Sequence, residues 1–209
     1  MRITSGKFRS RIIKMPAGIR PTQNKVRKAL FDILGDVQGL SFLELFAGSG
    51  GVGFEAVSRG VGELTLVEYN RDCLVVIRKN IESLKLKACS LYPLEAERAI
   101  KAFYEDKRRF DIIFLDPPYP KSLVPRPYDK LNKRGSGSTA NLQEQPLAKK
   151  TLQILGAYDI LAPNGFTVVQ HFKKDQLPEE SGKLRLIKEA RYGDTILSFY
   201  KRSEGTCAR

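Results

Sequence analysis

The sequence of 209 residues contains a single histidine, His171. A histidine-based metal cluster is therefore excluded, and a Ser-His-Asp triad has one candidate at most. His171 follows an apolar run and reads as a strand-end residue rather than a general base. Cysteine is also scarce: Cys73, Cys89 and Cys207 are an odd, scattered set without paired metal spacing. No metal is expected, and a reducing, cytoplasmic compartment fits best. The apolar runs, such as Ile112 to Leu115, fall far short of the ~20 residues that span a bilayer. No apolar signal stretch follows the basic N-terminus, so no membrane partner is expected. Acidic residues are missing altogether before Asp32.

The counterpart of that last absence is an excess of positive charge. Lys and Arg number 36 against 23 Asp and Glu, for a net +13. Nine of the basic residues fall within the first thirty: Arg2, Lys7, Arg9, Arg11, Lys14, Arg20, Lys25, Arg27 and Lys28. A fixed cationic patch attracts a polyphosphate backbone and makes binding salt-dependent. The bland alternative is a solubilising tail. Against it, Ile3, Phe8, Ile12 and Ile13 interleave with the charges, so the segment can fold. Arg2, Lys7, Arg9, Arg11, Arg20 and Arg27 are the candidate nucleic-acid contacts.

The length and a hydrophobic content of 42% suit one domain with a small appendage. Residues 2–13 alternate well enough for a short hairpin around Ser5-Gly6-Lys7. Thr22 is a plausible N-cap for a helix that carries Val26, Ala29, Leu30, Ile33 and Leu34 at helical spacing up to Gly35. From there short apolar strands alternate with helices. Strands are expected at Ser41–Leu45, Leu64–Val67, Cys89–Tyr92, Asp111–Leu115 and Phe166–Gln170, with Leu184–Ala190 and Thr195–Tyr200 as a final antiparallel pair. Helices are expected at Val52–Ser58, from about Arg71 to Leu84, from about Glu95 to Tyr104 and over 146–160, with a turn at Pro163-Asn164-Gly165. This rhythm predicts an α/β fold with a mostly parallel sheet covered on both faces. Residues 1–35 then form a basic extension, 36–203 the main domain and 204–209 a tail. The loop-like stretch 121–145 interrupts the rhythm and reads equally as a lid or a passive insertion.

Two segments carry chemistry. In Glu44-Leu45-Phe46-Ala47-Gly48-Ser49-Gly50-Gly51-Val52-Gly53, the glycines at 48, 50 and 53 match G-x-G-x-x-G between an expected strand and helix. Glu68 follows at the end of the next strand. Such glycines let backbone approach a nucleotide-like ligand, while the acid accepts from ribose hydroxyls. Glu44 tilts the choice from a dinucleotide to S-adenosylmethionine, because a carboxylate there repels pyrophosphate yet binds a methionine ammonium. Phe46 belongs to the same cofactor turn.

The second segment is Asp116-Pro117-Pro118-Tyr119, directly after the strand that ends at Leu115. An exocyclic amine on a nucleobase is a poor nucleophile, because its lone pair is delocalised into the ring. Asp116 and the carbonyl of Pro117 can each accept one of its N–H groups, favouring a pyramidal nitrogen. Prolines fix φ and so hold that carbonyl. Tyr119 offers a face on which an extruded base stacks, worth about 1–3 kcal/mol. The same residues suit adenine N6 in DNA or RNA, and a catalytically silent RNA-binding assembly protein is a further alternative. A nicotinamide-dependent oxidoreductase would leave the Asp-Pro-Pro-Tyr run without a role.

With these segments in place, the chain resembles the bacterial 16S rRNA guanine-N2 methyltransferase family of the RsmD type. The likeness includes Arg2-Ile3, Ser5-Gly6-Lys7, Arg20-Pro21-Thr22, Val26 to Phe31, Leu45 to Gly50, Glu68, Leu115 to Tyr119 and Tyr192-Gly193-Asp194-Thr195. It implies methyl transfer from S-adenosylmethionine to guanine N2 in small-subunit (16S) rRNA. It also implies a Rossmann-like, class I, seven-stranded sheet with an N-terminal RNA-binding extension. The implied catalytic residues are Asp116, Pro117, Pro118 and Tyr119; the implied cofactor residues are Glu44, Phe46, Gly48, Gly50 and Glu68. Glu95 is the candidate for the adenine contact. The substrate is expected to be 16S rRNA or the small ribosomal subunit, and the protein a monomer. Departures from the family pattern are the long 121–145 segment and Gln170-His171, where an acid is expected before the histidine.

Overall fold

The computed structural model describes residues 1–19, 22–118 and 145–203. In chain order the elements are α1 (Asn24–Leu34), β1 (Ser41–Leu45), α2 (Gly51–Ser58), β2 (Glu63–Val67), α3 (Arg71–Leu84), β3 (Cys89–Tyr92) and α4 (Ala96–Glu105). They continue with β4 (Phe110–Leu115), α5 (Leu147–Ala157), β5 (Leu161–Phe172), β6 (Glu180–Ser181), β7 (Leu184–Tyr192) and β8 (Thr195–Arg202). The strands form one sheet in the order β3-β2-β1-β4-β5-β8-β7-β6. The first five in that order run parallel, and β8, β7 and β6 are antiparallel.

Side chains alternate between the two faces, as strand geometry demands. Phe42, Leu64, Leu66, Ile112, Phe114 and Val168 share a core with Leu30 of α1, Phe54 of α2 and Ile77 of α3. Leu43, Leu45, Ile113, Leu115 and Val169 pack with Ile100 of α4 and Leu152 of α5 on the other face. Burial on both faces explains the near-continuous apolar strand sequences. Ile3 and Ile13 belong to the first core, so the basic N-terminal segment is folded against the sheet.

Four expectations are corrected. The sheet has eight strands rather than seven, the addition being the two-residue β6 beside β7. Residues 2–13 close on a single antiparallel bridge, Arg2 with Ile12, not on a strand pair. Their centre is pinned elsewhere, because the Lys7 N–H donates to the Ser58 carbonyl at 2.7 Å. The N-cap position of α1 is Gln23 and makes no side-chain cap bond, while the Thr22 hydroxyl faces Asp116. Residues 163–165 do not end a strand: β5 runs through them as an irregularity, with Phe110 paired to Leu161 and Ile112 to Phe166. The lid-or-insertion question on 121–145 lies, apart from residue 145, outside the described residues, and so does the 204–209 tail.

The order reverses between β1 and β4. These parallel neighbours pair Leu45 with Leu115 at their carboxyl ends. Open α/β sheets bind ligands in the crevice at such a switch point.

Candidate active site

The register of β1 and β4 brings together two segments that are far apart in sequence. After Leu45 the chain turns through Phe46 at φ 60°, Gly48 at 58° and Gly50 at 75°. Phe46 is a non-glycine residue in the left-handed region, a conformation that costs about 1–3 kcal/mol and persists only where the surroundings over-determine it. Gly50 is the N-cap of α2, and a Cβ there would lie 2.6 Å from the Phe54 ring. A Cβ on Gly53 would come within 2.8 Å of Glu44 Oε2. The glycine spacing thus serves close packing of α2 on β1 and β2 as well as the turn.

Two carboxylates organise this turn. Glu68 accepts from the Gly48 N–H at 2.8 Å, and its other oxygen accepts from the N–H groups of Tyr69 and Asn70 at 2.9 and 2.8 Å. Glu44, nearly fully buried, accepts from the Gly53 N–H at 2.8 Å. Burial pushes the Glu44 carboxyl up to about 8, opposed by the backbone N–H groups of Gly53 and Val52 and reinforced by the charges of Asp116 and Glu68. A buried acid with so high a pKa, in a cleft beside a glycine turn, marks a site suited to positive charge.

Asp116 follows the last residue of β4 and is only half-buried. Its Oδ2 accepts from Gln170 Nε2 at 2.8 Å, and the Thr22 hydroxyl stands 3.5 Å from the same oxygen. Asp116, Pro118, Glu44, Phe46 and Gly48 line one cavity of about 70 Å³. Met1, Met15, Ile19 and Thr22 form its other wall, so the N-terminal segment is part of the site. A second cavity, of about 250 Å³, is lined by Phe46, Tyr69, Glu95, Ala96, Lys150 and Thr151. Phe46 lines both, standing between a carboxylate-bearing chamber and a wider one.

Of the residues singled out from sequence, Glu44, Phe46, Gly48, Asp116 and Pro118 meet in the first cavity, and Glu95 lines the second. Pro117 is buried beside Asp116. Glu68 and Gly50 shape the turn. Tyr119 and Arg20 lie outside the described residues. Arg2, Lys7, Arg9 and Arg11 are exposed. Arg27 is a correction. Its side chain has no exposed surface and pairs with the equally buried Glu55 at 3.2 Å, so it cannot contact RNA. It also donates to the Arg2 carbonyl at 2.6 Å and to Asn24 Oδ1 at 3.1 Å. Its place in α1, three and four residues before the buried Leu30 and Phe31, sets it on the inner face.

His171 is a buried strand residue, as expected. Its Nε2 lies 2.8 Å from Ser198 Oγ, whose hydroxyl donates to Glu189 at 2.7 Å. Burial lowers its pKa. Gln170 is the site residue that sequence reasoning missed as a participant, since a glutamine after an apolar run carries no chemical signal of its own. Tyr69 and the Met1, Met15 and Ile19 wall were equally silent.

Comparison with known proteins agrees with this geometry. The family described as conserved hypothetical protein 95 matches residues 1–138 and 142–201. The chain is 34% identical to the protein YlbH of Bacillus subtilis (strain 168) over 206 residues, covering 97% of this chain and 99% of that one. It is 35% identical over 181 residues to the ribosomal RNA small subunit methyltransferase D of Buchnera aphidicola subsp. Acyrthosiphon pisum, covering 84% and 80% of the two chains. Among solved structures, the Thermus thermophilus protein TTHA0928 superposes with a TM-score of 0.74 at 29% identity, covering 96% of this chain and 99% of that one.

Proposed function

The chain belongs to the conserved hypothetical protein 95 family, the RsmD type, and from that premise we propose that it methylates the exocyclic N2 amine of a guanine in 16S rRNA. The coarser statement follows from the family: it is an S-adenosylmethionine-dependent rRNA methyltransferase. The observation that supports transfer to an exocyclic amine is the shared cavity of Asp116 and Glu44 at the switch point, and the choice of guanine N2 is what the resemblance to the RsmD family implies. Glu44 suits the ammonium of a methionine moiety, and Phe46, Tyr69 and Glu95 suit the adenosine in the wider chamber. These residues therefore fit the cofactor, which when bound supplies an electrophilic methyl on a sulfonium.

The chain's own groups handle the amine. Asp116 accepts a hydrogen bond from one N–H and the Pro117 carbonyl accepts the other, turning the nitrogen lone pair toward the methyl. As the nitrogen gains positive charge its proton becomes acidic, and Asp116 beside it receives that proton. Most of the acceleration comes from position and preorganised charge rather than from a strong base. Tyr119 is the proposed stacking surface for the base. Arg2, Lys7, Arg9 and Arg11 supply the electrostatic grip on the RNA backbone. We take the protein to act in the cytoplasm, as a monomer, on 16S rRNA or the small ribosomal subunit.

The test is methyl transfer from labelled S-adenosylmethionine to naked 16S rRNA and to small subunits lacking the mark, followed by digestion to nucleosides. N2-methylguanosine is expected; N6-methyladenosine would transfer the assignment to an adenine enzyme. Asp116→Ala is expected to lower turnover by about 10²–10⁴-fold while cofactor binding survives. Undiminished turnover removes Asp116 from the reaction.

A further inference from the structure

The strand beside the candidate catalytic acid carries an amide two residues before its end. β5 lies parallel to β4 with Val169 opposite Leu115, so Gln170 stands beside Asp116. Gln170 is 6% exposed, and its Nε2 donates to Asp116 Oδ2 at 2.8 Å. Its own Oε1 is fully buried and, among the described residues, has no hydrogen-bond partner. Flipping the amide would set that oxygen against a carboxylate oxygen, so the charge of Asp116 fixes which way the amide faces. The side chain thus keeps its donor on Asp116 even though its carbonyl then has no partner among the described residues. The Thr22 hydroxyl reaches the same oxygen at 3.5 Å, a longer contact than that of the amide. Glu44 of β1 is the titratable neighbour whose charge is felt by Asp116 across the cavity.

We propose that Gln170 is the positioning residue of this active site, its amide N–H fixing the rotamer of Asp116 and favouring the ionised carboxylate that the substrate amine meets. This rests on the reading of Asp116 as the acceptor for that amine. The residue type follows from the task. Leucine fills the same space but removes the amide donor from the carboxylate. Glutamate places a second acid against the first, and two carboxylates sharing a site hold one proton to higher pH. The amide donates without bringing a second acid to the site.

The experiment compares wild type with Gln170→Leu and Gln170→Glu through three measurements. The Asp116 carboxyl is titrated by ¹³C NMR in the ligand-free protein, assigned with Asp116→Asn. Cofactor binding is measured by calorimetry, and kcat and KM are determined against pH with rRNA. In Gln170→Leu the Asp116 midpoint is expected to move to higher pH. The kcat is expected to fall by up to about 10²-fold, as small misplacements of a catalytic group produce, with cofactor affinity and both KM values retained. In Gln170→Glu the acid limb of turnover is expected at higher pH than in wild type. An unmoved Asp116 midpoint in Gln170→Leu, or an unchanged kcat, overturns the proposal; so does a variant that loses cofactor binding in step with turnover. The NMR readout needs no methyl transfer. A wild type that transfers nothing to RNA, with the midpoint still moved by Gln170→Leu, refutes the assigned reaction and leaves the Gln170–Asp116 contact standing.

Discussion

At the scale of single residues, Glu44 links the chemistry to pH. Its carboxyl is raised by burial from an ordinary 4.5 to about 8. Below that value the ligand-free protein holds it largely protonated, whereas a cationic ligand prefers the anion. If Glu44 takes the ammonium as proposed, binding of S-adenosylmethionine is expected to release a proton, its affinity rising with pH up to about 8 and then levelling. Calorimetry in buffers of different ionisation enthalpy reads the released proton. Glu44→Gln is expected to bind more weakly at pH 8 and to lose the pH dependence; an unchanged slope would remove Glu44 from the cofactor. The same raised value acts on folding with a definite sign. The folded state binds the extra proton, so Glu44 contributes stability that is present below 4.5 and lost as pH climbs toward 8. Gln170 illustrates a different limit of residue-level reading. Its contact with Asp116 spans 54 positions, and nothing local announces it.

Among the elements, α1 and α2 are joined by a buried polar hub. Glu55 of α2 accepts from the Thr4 N–H, the Thr4 hydroxyl, the Ser5 N–H, Arg27 and Arg59. Arg27 is desolvated by this burial, which lowers its pKa, and Glu55 opposes that shift. Breaking such a pair strands a charge without solvent. Arg27→Met is expected to cost about 3–5 kcal/mol in denaturant unfolding, and combining it with Glu55→Leu to recover part of the loss. A loss below about 1 kcal/mol would mean that water reaches the pair. The hub also ties the first residues of the chain to the helix that follows the glycine turn. The element boundaries themselves were largely legible. Helix α3 and strands β1 and β3 occupy the expected ranges, because apolar spacing and turn residues act locally. The misread parts, the N-terminal hairpin and the 163–165 turn, are where non-local pairing overrode local preference. Lys7 bonds to Ser58, and a Cβ at Gly165 would meet the Asp111 carbonyl at 2.7 Å.

For the molecule as a whole, charge and shape cooperate. The net +13 is concentrated in a segment whose Met1, Met15, Ile19 and Thr22 line the reaction cavity. On the proposed reading, an RNA held by Arg2, Lys7, Arg9 and Arg11 would be brought to the wall of the site rather than to a detached arm. Replacing Arg9 and Arg11 with alanine is expected to weaken RNA binding at low salt. It should also flatten the slope of log affinity against log salt by about 0.7–0.9 for each phosphate that is no longer neutralised. An unaltered slope returns these residues to the role of solubilising charge. Among the described residues no helix is long and apolar enough to cross a membrane.

Local signals were enough to determine the alternation of strands and helices, the glycine turn, the Asp-Pro-Pro-Tyr run and the polarity of the charge, since each depends on near neighbours in the chain. Tertiary structure alone decided that β1 and β4 lie side by side, that Arg27 turns inward to Glu55 while Arg9 and Arg11 face solvent, and that Gln170 grips Asp116. Those outcomes depend on which faces the packed sheet buries and on strand register, and register is a property of the pair rather than of either strand.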